Sequence, residues 1–113
     1  MRILIAFTSL SGNTRDVARA VRTRCEAQGH TVTWIDVDIQ TLARTCPDGA
    51  THDLYVLGSW SDNGGRTPPE MKRFIADLVA EHDAWMHVDG AFGLWARTLP
   101  ELEDLCRGIE RAD

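Results

Sequence analysis

Thr8-Ser9-Leu10-Ser11-Gly12-Asn13-Thr14 joins an apolar run, Ile3 to Phe7, to a segment whose apolar residues recur with helical spacing. The apolar run has the length of a buried parallel strand. A strand, a tight turn rich in hydroxyl groups and a helix in succession aim backbone N–H groups and the positive end of the helix dipole at one point. The sequence therefore predicts an anion-binding loop, and every residue of the quoted stretch is a candidate ligand contact.

The 8–14 loop lacks the lysine of nucleotide-triphosphate loops. Those loops end in Gly-Lys-Ser/Thr, whereas this one ends in Gly12-Asn13-Thr14, and the first lysine of the chain is Lys72. We therefore expect a monophosphate held by hydroxyl and amide groups. A second interpretation stays open, because Ser, Thr and Asn are also preferred helix N-caps and the turn could serve only to begin the helix.

Composition and charge bound the other possibilities. The chain of 113 residues is 43% hydrophobic, which predicts a single domain spanning 1–113 with a small core. With a net charge of -5 and no basic patch with interleaved aromatic residues, we expect no nucleic-acid partner. Acidic residues outnumber arginines from Asp77 onward, so we expect that end of the chain to face a basic surface of a protein partner.

Membrane, metal and catalytic sites are not expected. The opening apolar run is too short for a signal peptide or a transmembrane helix, so we predict no membrane contact and a cytoplasmic location. The three cysteines, Cys25, Cys46 and Cys106, include no C-x-x-C pair and are expected to be free thiols. The histidines form no constellation with other reactive side chains. We therefore predict neither metal ligands nor catalytic residues.

Strands and helices are predicted to alternate along the chain. The expected elements, in order, are strand 3–7, helix 14–28, strand 31–37, a short helix at 39–45, strand 53–58, a helix capped by Thr67, strand 84–88 and a helix capped by Thr98. Strand 31–37 mixes polar and apolar residues and is expected at a sheet edge. This order predicts an α/β protein whose parallel sheet, of about four strands, is covered on both faces.

Spacing and punctuation also predict the buried faces of the helices. In the first helix, Val17, Val21 and Cys25 recur every four residues and are expected in the core. In the second, Thr67 as N-cap and Glu70 form a capping box, with Pro68 as the first helical residue. The apolar face of that second helix is predicted to consist of Met71, Phe74, Ile75, Leu78 and Val79.

Two further loops are predicted to lie beside the 8–14 loop. The first, after strand 53–58, reads Ser59-Trp60-Ser61-Asp62-Asn63-Gly64-Gly65, and the second, after strand 84–88, contains Gly90, Phe92 and Trp95. In a parallel sheet these loops leave the same carboxyl edge as the 8–14 loop, where open α/β sheets bind ligands. We therefore add these residues to the candidate ligand contacts.

The 8–14 loop resembles the phosphate loop for flavin mononucleotide (FMN) in the flavodoxin family, whose pattern is Thr/Ser-x-Ser/Thr-Gly-Asn/Thr-Thr. The resemblance covers residues 1 to about 83 and includes the aromatic loop at 59–65. It implies a flavodoxin-like three-layer sandwich, with FMN as cofactor and the family's strand order 2-1-3-4-5. Because only four strands are predicted where the family has five, the fourth is expected to leave an open edge, which would suit a homodimer or a shortened protein with weakened flavin binding.

The resemblance also implies roles for individual residues. Trp60 would form a wall against the isoalloxazine ring, with Phe92 or Trp95 on the other ring face. The peptide at Gly64, or at Gly65, would turn over on one-electron reduction and place its carbonyl against a ring nitrogen. The implied function is an electron carrier between a reductase and an acceptor protein. Two alternatives remain: a ribonucleotide reductase maturation flavodoxin, favoured by the short chain and by Gly64-Gly65, and a flavin-free module that binds another anion.

Overall fold

A computed structural model of the chain describes residues 1–39, 51–62 and 65–82. Within these ranges lie three strands and two helices: β1 Arg2–Phe7, α1 Asn13–Ala27, β2 Thr31–Asp36, β3 Leu54–Gly58 and α2 Pro69–His82. The chain divides into two units, Met1–His82 and Asp83–Asp113, and everything described belongs to the first.

The three described strands form one parallel sheet in the order β2-β1-β3. In the centre, Ile3 of β1 pairs with Val32 on one side and with Leu54 on the other. All residues from Ile3 to Phe7 are at most 1% exposed, as expected of a strand covered on both faces. These observations confirm the predicted α/β class with a parallel sheet, and they place β2 at an edge of the described sheet.

Alternate side chains of β1 enter two separate apolar cores. On one face, the core contains Ile3, Ile5, Phe7 and Ala18, with Val21, Cys25, Val32, Trp34 and Val56 packed against it. On the other face, the core contains Leu4, Ala6, Ile35, Met71, Phe74 and Leu78. The helices α1 and α2 therefore cover opposite faces of the sheet, which gives the predicted three layers.

The buried face of α1 differs from the predicted one. Val17, expected in the core with Val21 and Cys25, is 66% exposed, whereas Ala18 is 7% exposed and packs under the sheet. Because a helix turns by about 100° per residue, positions four apart drift by about 40° at each step. The side chains of Val17, Val21 and Cys25 therefore wind around the helix and cannot all face the sheet. Val17, the first of them, faces solvent.

The helix α2 begins one residue later than predicted. It starts at Pro69, and the Pro68 carbonyl accepts the N–H of Lys72 at 3.1 Å, so Pro68 rather than Thr67 is the N-cap. The reason is the double proline: the residue before a proline is disfavoured in the helical conformation, so Pro68 stays outside the helix and Pro69 takes its first position. Val79, at the margin of the predicted apolar face, is 42% exposed.

Several predictions fall outside the described residues. They are the short helix at 39–45, apart from its first residue, the strand at 84–88 with its open edge and the proposed homodimer contact, the final helix after Thr98, and the loop containing Gly90, Phe92 and Trp95. These remain predictions from the sequence.

Replacing Phe7 by alanine should lower the free energy of unfolding by about 3–5 kcal/mol. Phe7 is fully buried and its ring centre lies 4.6 Å from that of Trp34. Val17→Ala is the matched control on the exposed side of α1 and should change the free energy of unfolding by less than about 0.5 kcal/mol. Urea denaturation followed by circular dichroism measures both values. A cost above 1.5 kcal/mol for Val17→Ala would contradict the exposed position of Val17.

Candidate functional site

The 8–14 loop and the 59–65 loop are joined at the carboxyl ends of β1 and β3. Thr8, directly after β1, donates its N–H to the carbonyl of Gly58, the last residue of β3, at 3.0 Å. The hydroxyl oxygens of Thr8 and Ser59 lie 3.2 Å apart, within hydrogen-bond distance. Thr8 is fully buried, and its two hydrogen bonds connect the bases of the two loops. The structure thus brings the first two predicted loops to one edge of the sheet.

Ser9 holds the 8–14 loop in shape. Its Oγ accepts the N–H groups of Gly12 at 3.1 Å and of Arg15 at 3.2 Å. Gly12 is the N-cap of α1 and has φ of 97°, a left-handed conformation that glycine adopts at little cost, and it provides no side-chain cap. Ser9 therefore supplies part of the helix capping that the second interpretation of this stretch expects.

Some N–H groups of the 8–14 loop have no acceptor within the described part of the chain. These are the N–H groups of Leu10, Ser11, Asn13 and Thr14. Asn13 and Thr14 are the first two residues of α1, whose N–H groups have no partner inside the helix. Ser11 and Asn13 are exposed and Thr14 is half-buried, so solvent reaches this part of the loop. Free N–H groups at a helix N-terminus are the donor set that a phosphate group requires.

Arg15, which lies close to the loop, is engaged by a carboxylate. Its guanidinium is 3.1 Å from Oδ2 of Asp36, and it lies 5.9 Å from the centre of the Phe7 ring. Asp36 ends β2 and is 8% exposed. Asp38, two residues further on, accepts the N–H of Ser9 at 3.1 Å. An anion at this loop would therefore be held by N–H and hydroxyl groups rather than by a free cation.

Asp36 and Asp38 are residues of this region that the sequence analysis missed. Both come at the end of β2, which pairs directly with β1. Neighbouring parallel strands end at a common edge of the sheet, so acidic residues at the end of β2 lie beside the loop that follows β1. That signal was present in the sequence and would have identified both residues.

Asp62 shapes the loop that follows β3. Its carbonyl accepts the N–H of Gly65 at 2.9 Å, and its own N–H donates to the carbonyl of Arg66 at 3.1 Å. Its Oδ1 accepts the N–H of Arg66 at 2.9 Å. Gly65 has φ of 71°, so glycine suits this position. Asp62 is therefore joined to Gly65 and Arg66 by hydrogen bonds, and Asn63 and Gly64 lie outside the described residues.

Trp60 is the aromatic residue of the 59–65 loop. It is half-buried, and its carbonyl accepts the hydroxyl of Ser59 at 2.8 Å. The neighbouring Ser61 is exposed. Trp60 directly follows Ser59, whose hydroxyl lies within hydrogen-bond distance of Thr8, and a partly accessible aromatic residue can stack on a flat ligand.

Two solved structures resemble this fold. A short-chain flavodoxin associated with a PDU bacterial microcompartment matches with a TM-score of 0.59, at 20% identity, over 71% of this chain and 51% of its own. Oxidised flavodoxin 2 from Bacillus cereus matches with a TM-score of 0.58, at 24% identity, over 99% of this chain and 77% of its own. The chain thus spans about half the length of the first structure. These likenesses show that the chain has a flavodoxin-like α/β fold, which confirms the fold that the 8–14 loop predicted.

Comparisons of sequence are less informative. No family model matches the chain. Histidine decarboxylase of Drosophila melanogaster is 49% identical over 39 residues, which make up 34% of this chain and 5% of that protein. Because a segment of this length is shorter than a typical domain, the match assigns no activity to this chain.

Three findings bear on metals, membranes and thiols. The described residues contain no group of three or more His, Cys, Asp or Glu side chains that could hold a metal ion. Neither α1 nor α2 is long and apolar enough to cross a membrane. Cys25 is a half-buried free thiol, and Cys46 and Cys106 lie outside the described residues.

Replacing Gly58 by alanine should destabilise the protein by about 1 kcal/mol. A Cβ at this position would lie 3.3 Å from Cγ2 of Thr14, closer than an ordinary contact. Thr14→Ser removes that methyl group and keeps the hydroxyl, so the cost of Gly58→Ala should nearly vanish when Thr14→Ser is already present. A double-mutant cycle by urea denaturation measures this coupling. Equal costs in the two backgrounds would contradict the close contact.

Proposed function

We propose that this protein binds FMN between the 8–14 and 59–65 loops and carries electrons between partner proteins. The observation that carries the proposal is the set of N–H groups in the 8–14 loop and the first turn of α1 that have no acceptor in the described chain, those of Leu10, Ser11, Asn13 and Thr14. The flavodoxin-like fold and the match of the loop to the FMN pattern support it. The short-chain neighbour is itself named a flavodoxin.

The loop fits the phosphate end of FMN. Its free N–H groups and the hydroxyls of Ser11 and Thr14 would donate to the phosphate oxygens, and the dipole of α1 adds the equivalent of about half a positive charge. Hydrogen bonds to a charged acceptor are roughly twice as strong as neutral ones. A phosphate is therefore stabilised here although Arg15 is already paired with Asp36.

Trp60 would provide an apolar wall for the flavin ring. It follows β3 at the same edge as the 8–14 loop and remains partly accessible. Offset stacking of large aromatic rings is favourable. When bound, FMN supplies the redox chemistry, and the residues of this chain bind and orient it. A reductase and an acceptor protein with basic surfaces would suit the acidic residues that follow Asp77.

Purified protein should bind FMN through its phosphate, seen as a change in the absorption spectrum of added FMN. Replacing Ser11 and Thr14 together by alanine should weaken FMN binding by about 1.5–3 kcal/mol for each hydrogen bond lost. Riboflavin has no phosphate, and its affinity should change little. Thr23→Ala, which removes an exposed hydroxyl further along α1, is the matched control.

The outcomes of this titration separate the alternatives. Equal losses of affinity for FMN and riboflavin would overturn the phosphate assignment. Binding of inorganic phosphate without binding of either flavin would identify the flavin-free module instead.

FMN should also quench the fluorescence of Trp60. In a Trp60→Ala variant, the part of the quenching that arises from this contact should disappear, and the dissociation constant for FMN should rise by about five- to tenfold, as expected for the loss of one aromatic stacking partner. Trp60→Phe keeps an aromatic ring and should lose less affinity. An unchanged dissociation constant in Trp60→Ala would count against stacking.

A further inference from the structure

Four residues close a ring of hydrogen bonds at the base of the 8–14 loop. The Arg15 guanidinium donates to Oδ2 of Asp36 at 3.1 Å, and the N–H of Asp38 donates to Oδ1 of Asp36 at 3.2 Å. The N–H of Ser9 donates to Oδ2 of Asp38 at 3.1 Å, and the N–H of Arg15 donates to Oγ of Ser9 at 3.2 Å. We call these four residues the Asp38 ring. It joins the end of β2, the loop after β1 and the first turn of α1.

The Asp38 ring divides the N–H groups of the loop into two sets. The N–H groups of Ser9, Gly12 and Arg15 donate inward, to Asp38 or to Oγ of Ser9. The outward set has no acceptor in the described chain and consists of the N–H groups of Leu10, Ser11, Asn13 and Thr14. The ring therefore fixes the loop backbone while leaving a separate group of donors for a ligand.

Asp38 is itself held in place by the backbone around it. The N–H of Val37 donates to the carbonyl of Phe7 at 2.9 Å, and the N–H of Ile39 donates to the carbonyl of Asp36 at 3.1 Å. These bonds fix the turn that presents the Asp38 carboxylate to Ser9. Because Asp38 is exposed, removal of its side chain should release Ser9 and leave the core intact.

We propose that Asp38 is a positioning residue for the phosphate site: by accepting the N–H of Ser9, it holds the 8–14 loop in the conformation that presents the outward N–H groups. This inference rests on the proposed function, in which the ligand is the phosphate of FMN. A loop that is ordered before binding loses less conformational entropy when the phosphate binds, so its affinity is higher. The acceptor oxygen of Asp38 orders the loop in this way. Its charge does not help, because a negative charge close to a phosphate opposes binding.

Three variants separate the acceptor from the charge. Asp38→Ala removes both, whereas Asp38→Asn keeps an oxygen that can accept the N–H of Ser9. Asp16→Asn removes one negative charge from the first turn of α1, where Asp16 pairs with Arg19 at the surface, and leaves the Asp38 ring intact. It is the charge-matched control for Asp38→Asn.

Titration with FMN and riboflavin should separate the three variants. Asp38→Ala should bind FMN about tenfold more weakly than Asp38→Asn, with little difference for riboflavin. Asp38→Asn and Asp16→Asn should bind FMN as tightly as the parent, or up to about threefold more tightly. Equal FMN affinities for Asp38→Ala and Asp38→Asn would overturn the proposal, whether both are weakened or both unchanged.

Amide hydrogen exchange tests the loop without a ligand. The N–H groups of Gly12 and Arg15 should exchange at least about tenfold faster in Asp38→Ala than in Asp38→Asn. The N–H of Cys25, in the last turn of α1 and away from the loop, should exchange at the same rate in both variants. If the parent binds neither FMN nor inorganic phosphate, the proposed function fails, and this exchange experiment alone decides the role of Asp38. Equal exchange rates of Gly12 and Arg15 in the two variants would overturn that role.

Discussion

Every residue of β1 from Ile3 to Phe7 is at most 1% exposed, so other elements must cover both faces of this strand. Burial of a large apolar side chain contributes about 1.5–3 kcal/mol, and one helix can cover only one face of a sheet. The packing of α1 on one face and α2 on the other follows from this requirement. So does the position of the 8–14 loop, because a chain that leaves a central parallel strand emerges at its carboxyl edge.

Two carboxylates beside the proposed phosphate site need a physical reason, because like charges repel. In this structure Asp36 is paired with Arg15, and Asp38 accepts an N–H of the loop. Asp36 therefore contacts the side chain of Arg15 in α1, and Asp38 contacts the backbone of the loop. Their negative charge repels an anion. This repulsion is offset by the hydrogen bonds that order Ser9 and, through Ser9 Oγ, Gly12.

The parts of the fold that could be predicted from the sequence rest on local patterns. The alternation of strand and helix patterns predicted a parallel α/β sheet. The hydroxyl-rich turn after the apolar run of β1 carried the resemblance to the flavodoxin fold. The prediction failed at Val17, where spacing alone could not fix the rotation of α1, and at Pro68, where the second proline decided the boundary. Asp36 and Asp38 contact residues 21 and 29 positions earlier, so the pairing of β2 with β1, and no local pattern, places them beside the 8–14 loop. Contacts at that distance depend on strand pairing.

The two interpretations of the 8–14 loop, as a helix cap and as an anion site, describe different donors of the same turn. A helix leaves its first N–H groups without internal partners, and one serine hydroxyl cannot accept all of them. Ser9 accepts two N–H groups, those of Gly12 and Arg15, and Gly12 adds no side chain to accept others. Capping by Ser9 is thus incomplete, and the N–H groups of Asn13 and Thr14 still require an acceptor. This incomplete cap supports the proposal of a phosphate site at the start of α1.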